Sequence, residues 1–312
     1  MESNGLSPQG SVTAAVKMAP TFSVIMPTYN RAHLIMNAVN SVLEQTFTDF
    51  EFIIVDDGST DGTHELLNAI EDPRVRVVSN TRTKGAPGAR NTGIFMAAAD
   101  WICAIDSDDL WDKDFLAHLA TGVLQAHDEV GIVYGSTSWV DDGRVSRVKE
   151  ASVGGFTFPR MLHDQFFYHT ASAVRTSLLR ELDGYDETLG DCEDTDVQLR
   201  LTQRCEMLPV PEAMYFYIRG GDDQMTRDYP RAAASMKRFM DKHFDLYDAH
   251  PAARFDTASK VLTLAVRGGQ WKLARQMWLT IFPALWHEPV MFVRYQKRAL
   301  FLLLAKIGRA HV

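Results

Sequence analysis

The stretch Cys103 to Trp111, CAIDSDDLW, places three carboxylates within four residues, directly after the apolar run WICAI. Acids this close repel one another unless a cation sits among them. Asp106 and Asp108, at i and i+2, are spaced to aim two oxygens at one hard cation. Mg2+ or Mn2+ takes such oxygen ligands, usually one or two carboxylates completed by phosphate and water. The competing reading is an Asp/Ser turn that caps a following helix, and the stretch alone leaves both open.

Three other polar clusters carry chemistry. In VDDGSTDGT, Asp57 could accept from a nucleobase N–H or a ribose hydroxyl, while Asp61 suits the cap of the next helix. KGAPGARNTG offers Lys84, Arg90 and a helix N-terminus, a phosphate-binding combination. It matches neither GxxxxGK[ST] nor GxGxxG. GDCEDTDVQLRL holds Asp191, Glu193, Asp194 and Asp196 at a helix start. The helix dipole accounts for two or three of these acids, and another is free to act as general base. The ten histidines show no HExxH pattern, and GSTSW is not GxSxG, so neither a zinc site nor a serine nucleophile is indicated.

The elements that must position these clusters follow from hydrophobic patterning. FSVIMP, FEFIIVDD, VRVVSN, WICAID and VGIVYGS read as strands. Helical spacing fills the intervals at RAHLIMNAVNSVLEQTF, THELLNAI, GAPGARNTGIFMAAA and DKDFLAHLATGVL. This alternation predicts an α/β fold, a mostly parallel sheet flanked by helices, with ligands bound beyond the carboxyl ends of the strands. PTYNR, VDDGSTD and DSDD all fall at such ends. WVDDGRVSRVKEA then reads as a hairpin, a helix begins near Glu193, and a strand runs into the Gly/Asp loop GGDDQMTRD. From Pro230 about four helices follow, the last near 289–306. The division expected is a lead-in over 1–20, an α/β domain over 21–228 with halves at 21–135 and 136–228, and a helical region over 229–312.

The composition, 46% hydrophobic and 23% charged, is that of an ordinary globular protein. A net charge of −8 argues against nucleic acid as a partner. From Pro251 to Val312 ten Lys/Arg face two acids, Asp256 and Glu288, a local +8 that leaves −16 for the first 250 residues. Three cysteines without metal-type spacing suggest reduced thiols and a cytoplasmic setting. The first twenty residues lack the charge and apolar core of a signal peptide. No run reaches the ~20 apolar residues of a membrane span.

Taken together and in order, SVIMPTYNR, FIIVDDGSTDGT, GAPGARNTGI…DWICAIDSDD and GYDETLGDCEDTDVQLRL resemble the inverting family 2 glycosyltransferases of GT-A (Rossmann-like) fold, of the bacterial cell-surface polysaccharide type. The likeness covers roughly Thr21 to Arg219. It implies a nucleotide-sugar donor, most often UDP-linked, with Pro27, Thr28 and Tyr29 lining the uridine pocket. Asp57 then matches the base-binding aspartate and Arg90 the arginine beside the nucleotide. Asp106-Ser107-Asp108 matches the DxD motif, Asp106 contacting sugar or ribose and Asp108 the divalent metal, Mn2+ or Mg2+. That metal would stabilise charge growing on the departing diphosphate. Glu193-Asp194 matches the ED pair, with Asp194 as general base and Glu193 and Asp191 behind it. Arg200 matches the pattern's arginine, and Gln198 departs from an aromatic position. Thr226 and Arg227 resemble a lid over the phosphates. Asp109 receives no role, and acceptor contacts are expected around Phe166 to Thr170.

The basic segment PVMFVRYQKRALFLLLAKIGRAHV suggests either a core helix or one lying on an anionic membrane at the inner face of the cell membrane, suited to a saccharide or lipid-linked acceptor. Two rival readings are a sugar-nucleotide pyrophosphorylase, for which MPTYNRAHL lacks the Gly-rich basic loop, and a sugar-nucleotide-binding protein without catalysis, which would not require a base.

Overall fold

The computed structural model describes residues 19–219 and 228–287. Its first half alternates as the patterning predicts: β1 (Phe22–Thr28), α1 (Ile35–Leu43), β2 (Phe50–Asp56), α2 (Thr63–Asn68), β3 (Val75–Ser79), α3 (Ala86–Met96) and β4 (Trp101–Ala104). Then come β5 (Leu110–Trp111), α4 (Phe115–Gln125), β6 (Val130–Asp141), β7 (Arg144–Lys149) and α5 (Arg160–His163). A 3-10 turn at His169–Ala171 precedes β8 (Ser172–Arg175), α6 (Thr176–Glu181), α7 (Glu193–Thr202) and β9 (Glu206–Arg219). Four helices follow: α8 (Tyr229–Lys242), α9 (Phe244–Ala249), α10 (Pro251–Arg267) and α11 (Trp271–His287). The final helix expected near 289–306 lies outside the described residues, as do Thr226 and Arg227.

The sheet runs β3-β2-β1-β4-β8-β6-β9-β5, with β7 paired to β6. The four strands from β3 to β4 are parallel, as is β6 with β9. β8 runs antiparallel to both β4 and β6, so β4 and β6 point the same way. β5, a two-residue strand that the patterning does not anticipate, pairs antiparallel with β9. The β6–β7 hairpin turns on Asp142 and Gly143, both at positive φ (48° and 74°), the conformation that a two-residue hairpin loop requires.

Alternate residues of the central strands serve opposite faces. Val24, Met26, Phe52 and Ile54 pack with Ile35, Val39 and Val42 of α1 and with Phe115, Leu116 and Leu119 of α4. Ile25, Ile53 and Val55 face Ala89 and Ile94 of α3. Gly93 lets α3 approach β1, since a Cβ there would lie 2.6 Å from the Ile25 side chain. The same cluster continues into Phe239 of α8 and Phe255, Val261 and Leu262 of α10, so the C-terminal helices share the core of the sheet. Among the described residues no helix is long and apolar enough to cross a membrane.

Candidate active site

β1, β2 and β4 are in parallel register, so their exits fall on one edge. The first two exit loops clasp each other. Asn30, at φ 52°, donates its N–H to Ser59 Oγ (2.9 Å) and accepts from the Thr60 N–H (2.8 Å). Asp61 accepts from the Thr63 N–H (3.1 Å) at the start of α2 and from the Ala32 N–H (3.0 Å). It braces the turn into α2 and does not occupy the expected cap position, which is Gly62 with no side-chain cap.

Of the residues expected to line a uridine pocket, Pro27 and Thr28 are buried and Tyr29 is exposed, with Lys84 Nζ 4.3 Å from its ring centroid. Thr28 Oγ1 is buried without a hydrogen-bond partner. Asp57 accepts from Asn80 Nδ2 (2.6 Å) and from the Gly85 N–H (2.8 Å), which places its charge at the entry of α3. A carboxylate has about four acceptor positions, so Asp57 retains capacity for a further donor.

Arg90 ties together motifs that lie far apart in sequence. Its guanidinium is buried and donates from Nη2 to Asp106 (2.6 Å) and from Nη1 to Glu193 (3.0 Å), 103 residues away. Burial disfavours this cation, yet Asp106 and Glu193 outweigh that and hold it protonated. Burial also works against the Asp106 carboxylate, but Arg90 and His169 lower its pKa overall. Glu193 is raised to about 7, chiefly by burial, against the pull of Arg90. The arginine assigned to the nucleotide is thus engaged by two acids of the site, with Nε left unpartnered.

Asp108 is exposed and its pKa is raised, first by desolvation and then by Asp106, with Arg31 opposing. Asp109, which had no assigned role, is the buried member of the group. It accepts from the Tyr215 hydroxyl and from the Ile218 N–H (2.7 Å), fastening the DSDD turn to β9. It caps no helix, since the helix that follows starts at Phe115. Burial, Asp106 and Asp108 all push its carboxyl well up.

α7 starts at Glu193, so Glu193, Asp194 and Asp196 occupy its first turn. Asp194 Oδ1 accepts from the Thr195 N–H (2.6 Å), and Oδ2 accepts from Gln165 Nε2 (3.3 Å). Gln198, the departure from the aromatic pattern, accepts from Gln165 Nε2 (3.0 Å). Asp191 is ion-paired with Arg231 of α8 (2.6 Å) and stands outside the Arg90 chain. Asp196 is fully buried among Arg200 (2.7 Å), Lys242 (2.8 Å) and His243 (2.7 Å), a structural hub. Arg200 also donates to the Leu182 and Gly184 carbonyls, tying α7 to the end of α6.

Two further residues lie beside these groups that the sequence motifs do not single out individually, although His169 falls within the Phe166 to Thr170 stretch expected to meet the acceptor. His169 is buried, its ring 5.7 Å from that of Tyr185, and neither ring nitrogen has a hydrogen-bond partner. Burial and then Arg90 push its pKa down to about 4, against Asp106 and Asp194, so the ring is neutral near pH 7. Glu187 accepts from Asn91 Nδ2 (2.8 Å), Arg82 Nε (2.6 Å) and the Thr83 N–H (3.1 Å), locking the entry of α3 to the loop before α7. Gly184, at φ 68°, allows this approach, since a Cβ there would lie 2.1 Å from Asn91 Oδ1.

Among the described residues, the one group of three or more close metal-ligand candidates is His127, Glu129 and Glu206, beside the starts of β6 and β9. Those starts lie at the sheet edge opposite the β1, β2 and β4 exits.

A family model described as "Glycosyl transferase family 2" matches residues 23–183. The chain is 30% identical over 283 residues to WcaA of Escherichia coli (strain K12), named as a colanic acid biosynthesis glycosyl transferase, covering 86% of this chain and 95% of that one. It is 32% identical over 140 residues to the Escherichia coli UDP-Glc:alpha-D-GlcNAc-diphosphoundecaprenol beta-1,3-glucosyltransferase WfgD, covering 45% of this chain and 52% of the relative, about half its length. In fold it is similar to the Pyrobaculum calidifontis mannosyltransferase PcManGT, solved in complex with GDP-Man and Mn2+. The TM-score is 0.56 at 21% identity, over 95% of this chain and 88% of that one. On the family match and the near full-length similarity to WcaA, the chain belongs to glycosyl transferase family 2.

Proposed function

We propose that the protein is an inverting glycosyltransferase of bacterial surface polysaccharide assembly. It would move a sugar from a UDP-linked donor to a hydroxyl of a lipid-linked saccharide, acting at the cytoplasmic face of the membrane. The observation that carries this reading is the chain Asp106–Arg90–Glu193, which joins the DxD turn to the residue beside Asp194. UDP and a diphospholipid-linked acceptor are supported by the name of the WfgD relative.

The donor set fits a divalent cation of the Mg2+ or Mn2+ kind. Asp108 is a carboxylate whose charge lacks an adequate counter-ion, and Asp106, two residues before it, adds to that unbalanced charge while Arg90 engages its Oδ1 alone. Two carboxylates and a diphosphate are a usual donor set for such a metal. Asp108, with Asp106, would hold it, and when bound it supplies Lewis-acid stabilisation of the leaving diphosphate. Arg90 fixes Asp106 and keeps the approach of the donor in register with α7. Thr28 Oγ1 and the free capacity of Asp57 are available to the nucleoside. Asp194 takes the proton from the acceptor hydroxyl as that oxygen attacks the anomeric carbon from the side opposite the diphosphate, so a single displacement inverts the centre. Gln165 orients the accepting carboxylate.

The test is nucleoside diphosphate release from a panel of UDP- and GDP-sugars with Mn2+, Mg2+ or EDTA. Release from a UDP-sugar that EDTA abolishes is the expected result. Metal-independent release, or release from GDP-sugars alone, would overturn the metal or the donor assignment respectively.

A further inference from the structure

Beside the base, three elements gather positive charge. Gln165 donates its side-chain amide to Asp194 (3.3 Å), while its backbone carbonyl accepts from Lys149 Nζ. Lys149, at the end of β7, lies 5.8 Å from the Tyr168 ring centroid. Trp139 meets that ring edge-on at 5.6 Å and carries Arg147 over its own face at 4.7 Å. Arg160 of α5 stands over Phe166 at 5.1 Å. α5 is linked to α10 through His163 and Asp256 (3.3 Å), and Lys260 lies one turn further along α10.

Among the described residues, Lys149 is ion-paired with Asp164 at 3.9 Å, a largely exposed acid. Burial lowers the pKa of Lys149, and Arg147, Arg160 and Lys260 add to this against Asp164. A half-buried ammonium is therefore held among like charges, an arrangement that an anion stabilises. Lys149 thus lies against Tyr168 and, through Gln165, is joined to Asp194. Gln165 alone spans from Lys149 to Asp194, so one sugar unit is long enough to bridge the two.

We propose that Arg147, Lys149, Arg160 and Lys260 form a subsite for the phosphate or diphosphate of the acceptor, presenting a phosphate-linked saccharide with its free hydroxyl toward Asp194. This deepens the functional reading above and rests on it.

The experiment is calorimetric titration of the full chain, saturated with UDP and Mn2+, with geranyl diphosphate as probe. UDP occupies the donor pocket, so binding must occur elsewhere. The expected result is saturable binding that weakens roughly tenfold or more in the Arg160→Ala, Lys260→Ala double variant, both positions being exposed, with UDP affinity unchanged. Geranyl diphosphate binding that ignores these substitutions overturns the proposal. Binding that appears only when UDP is omitted does the same, because it would be the donor pocket. Sedimentation with phosphatidylglycerol vesicles separates the remaining source of phosphate. A double variant that loses vesicles but retains geranyl diphosphate identifies a bilayer-headgroup surface and overturns the acceptor subsite. Failure of UDP itself to bind would count against the glycosyltransferase reading, while the geranyl diphosphate comparison between wild type and variant would still be read.

Discussion

The strand exits of β1, β2 and β4 and the first turn of α7 both supply acids to the cleft, but they hold them differently. At the strand exits three carboxylates are held by paired hydrogen-bond donors: Asp57 has Asn80 and Gly85, Asp61 has Ala32 and Thr63, and Asp109 has Tyr215 and Ile218. On α7, Glu193 has Arg90, which reaches it from the other wall, and Asp194 has only Thr195 and Gln165. Fixed dipoles suit the binding of a charged nucleotide, because nothing must reorganise when it arrives. A base must exchange a proton during turnover, and the lighter restraint on Asp194 is consistent with the role proposed for it. Arg90 is the element common to both.

The largest effect should come from cutting that link. Arg90→Met leaves Asp106 and Glu193 as unpaired acids at a buried position and is expected to destabilise the fold by about 3–5 kcal/mol, read from denaturant unfolding. A loss below ~1 kcal/mol would mean that the two walls are held together by other contacts.

A smaller effect belongs to the joint between the entry of α3 and the loop before α7. Glu187 is lowered to about 2 from 4.5, its hydrogen bonds from Asn91, Thr83 and Arg82 outweighing burial. The sign follows from the lowered value: the stabilisation is complete above pH 4.5 and is lost as pH falls toward 2. Glu187→Gln should cost roughly 1–2 kcal/mol at neutral pH and flatten the acid limb of the stability curve over that window. An unchanged acid limb would remove Glu187 from the joint between α3 and the loop before α7.

The smallest effect on stability is expected at His169. Phe at this position removes two unpartnered buried nitrogens, so His169→Phe should leave unfolding within about 1 kcal/mol of wild type or raise it. Donor turnover should still fall, because the ring lies in the electrostatic field of Arg90, Asp106 and Asp194 and has both nitrogens available to a sugar hydroxyl. Full turnover in the variant would reduce His169 to a packing residue.

The strand-exit side was legible in the sequence, and the acceptor side was legible only in part. Apolar runs ending in PTYNR, VDDGSTD and DSDD announce parallel strands with polar exits, and β1, β2 and β4 follow them. Spacing alone left Asp106 and Asp108 between a metal grip and a helix cap, and resemblance to a family chose between them. Asp109 could not be assigned because its partners, Tyr215 and Ile218, are more than a hundred residues away on β9. β5 is two residues long and exists only through pairing with that strand, so no periodicity could reveal it. His169 sits in FFYHTASAV, where nothing marks a buried ring as unpartnered, since that is a property of what fails to surround it.

The central claim is that Asp194 removes the acceptor proton while the strand exits hold the donor. Asp194→Asn tests it most directly, with nucleoside diphosphate release and UDP affinity measured on the same preparation. The account predicts a fall in kcat of about 10²–10⁴-fold with UDP affinity unchanged. Turnover retained at the wild-type level, or a loss explained wholly by failure to bind UDP, would contradict it.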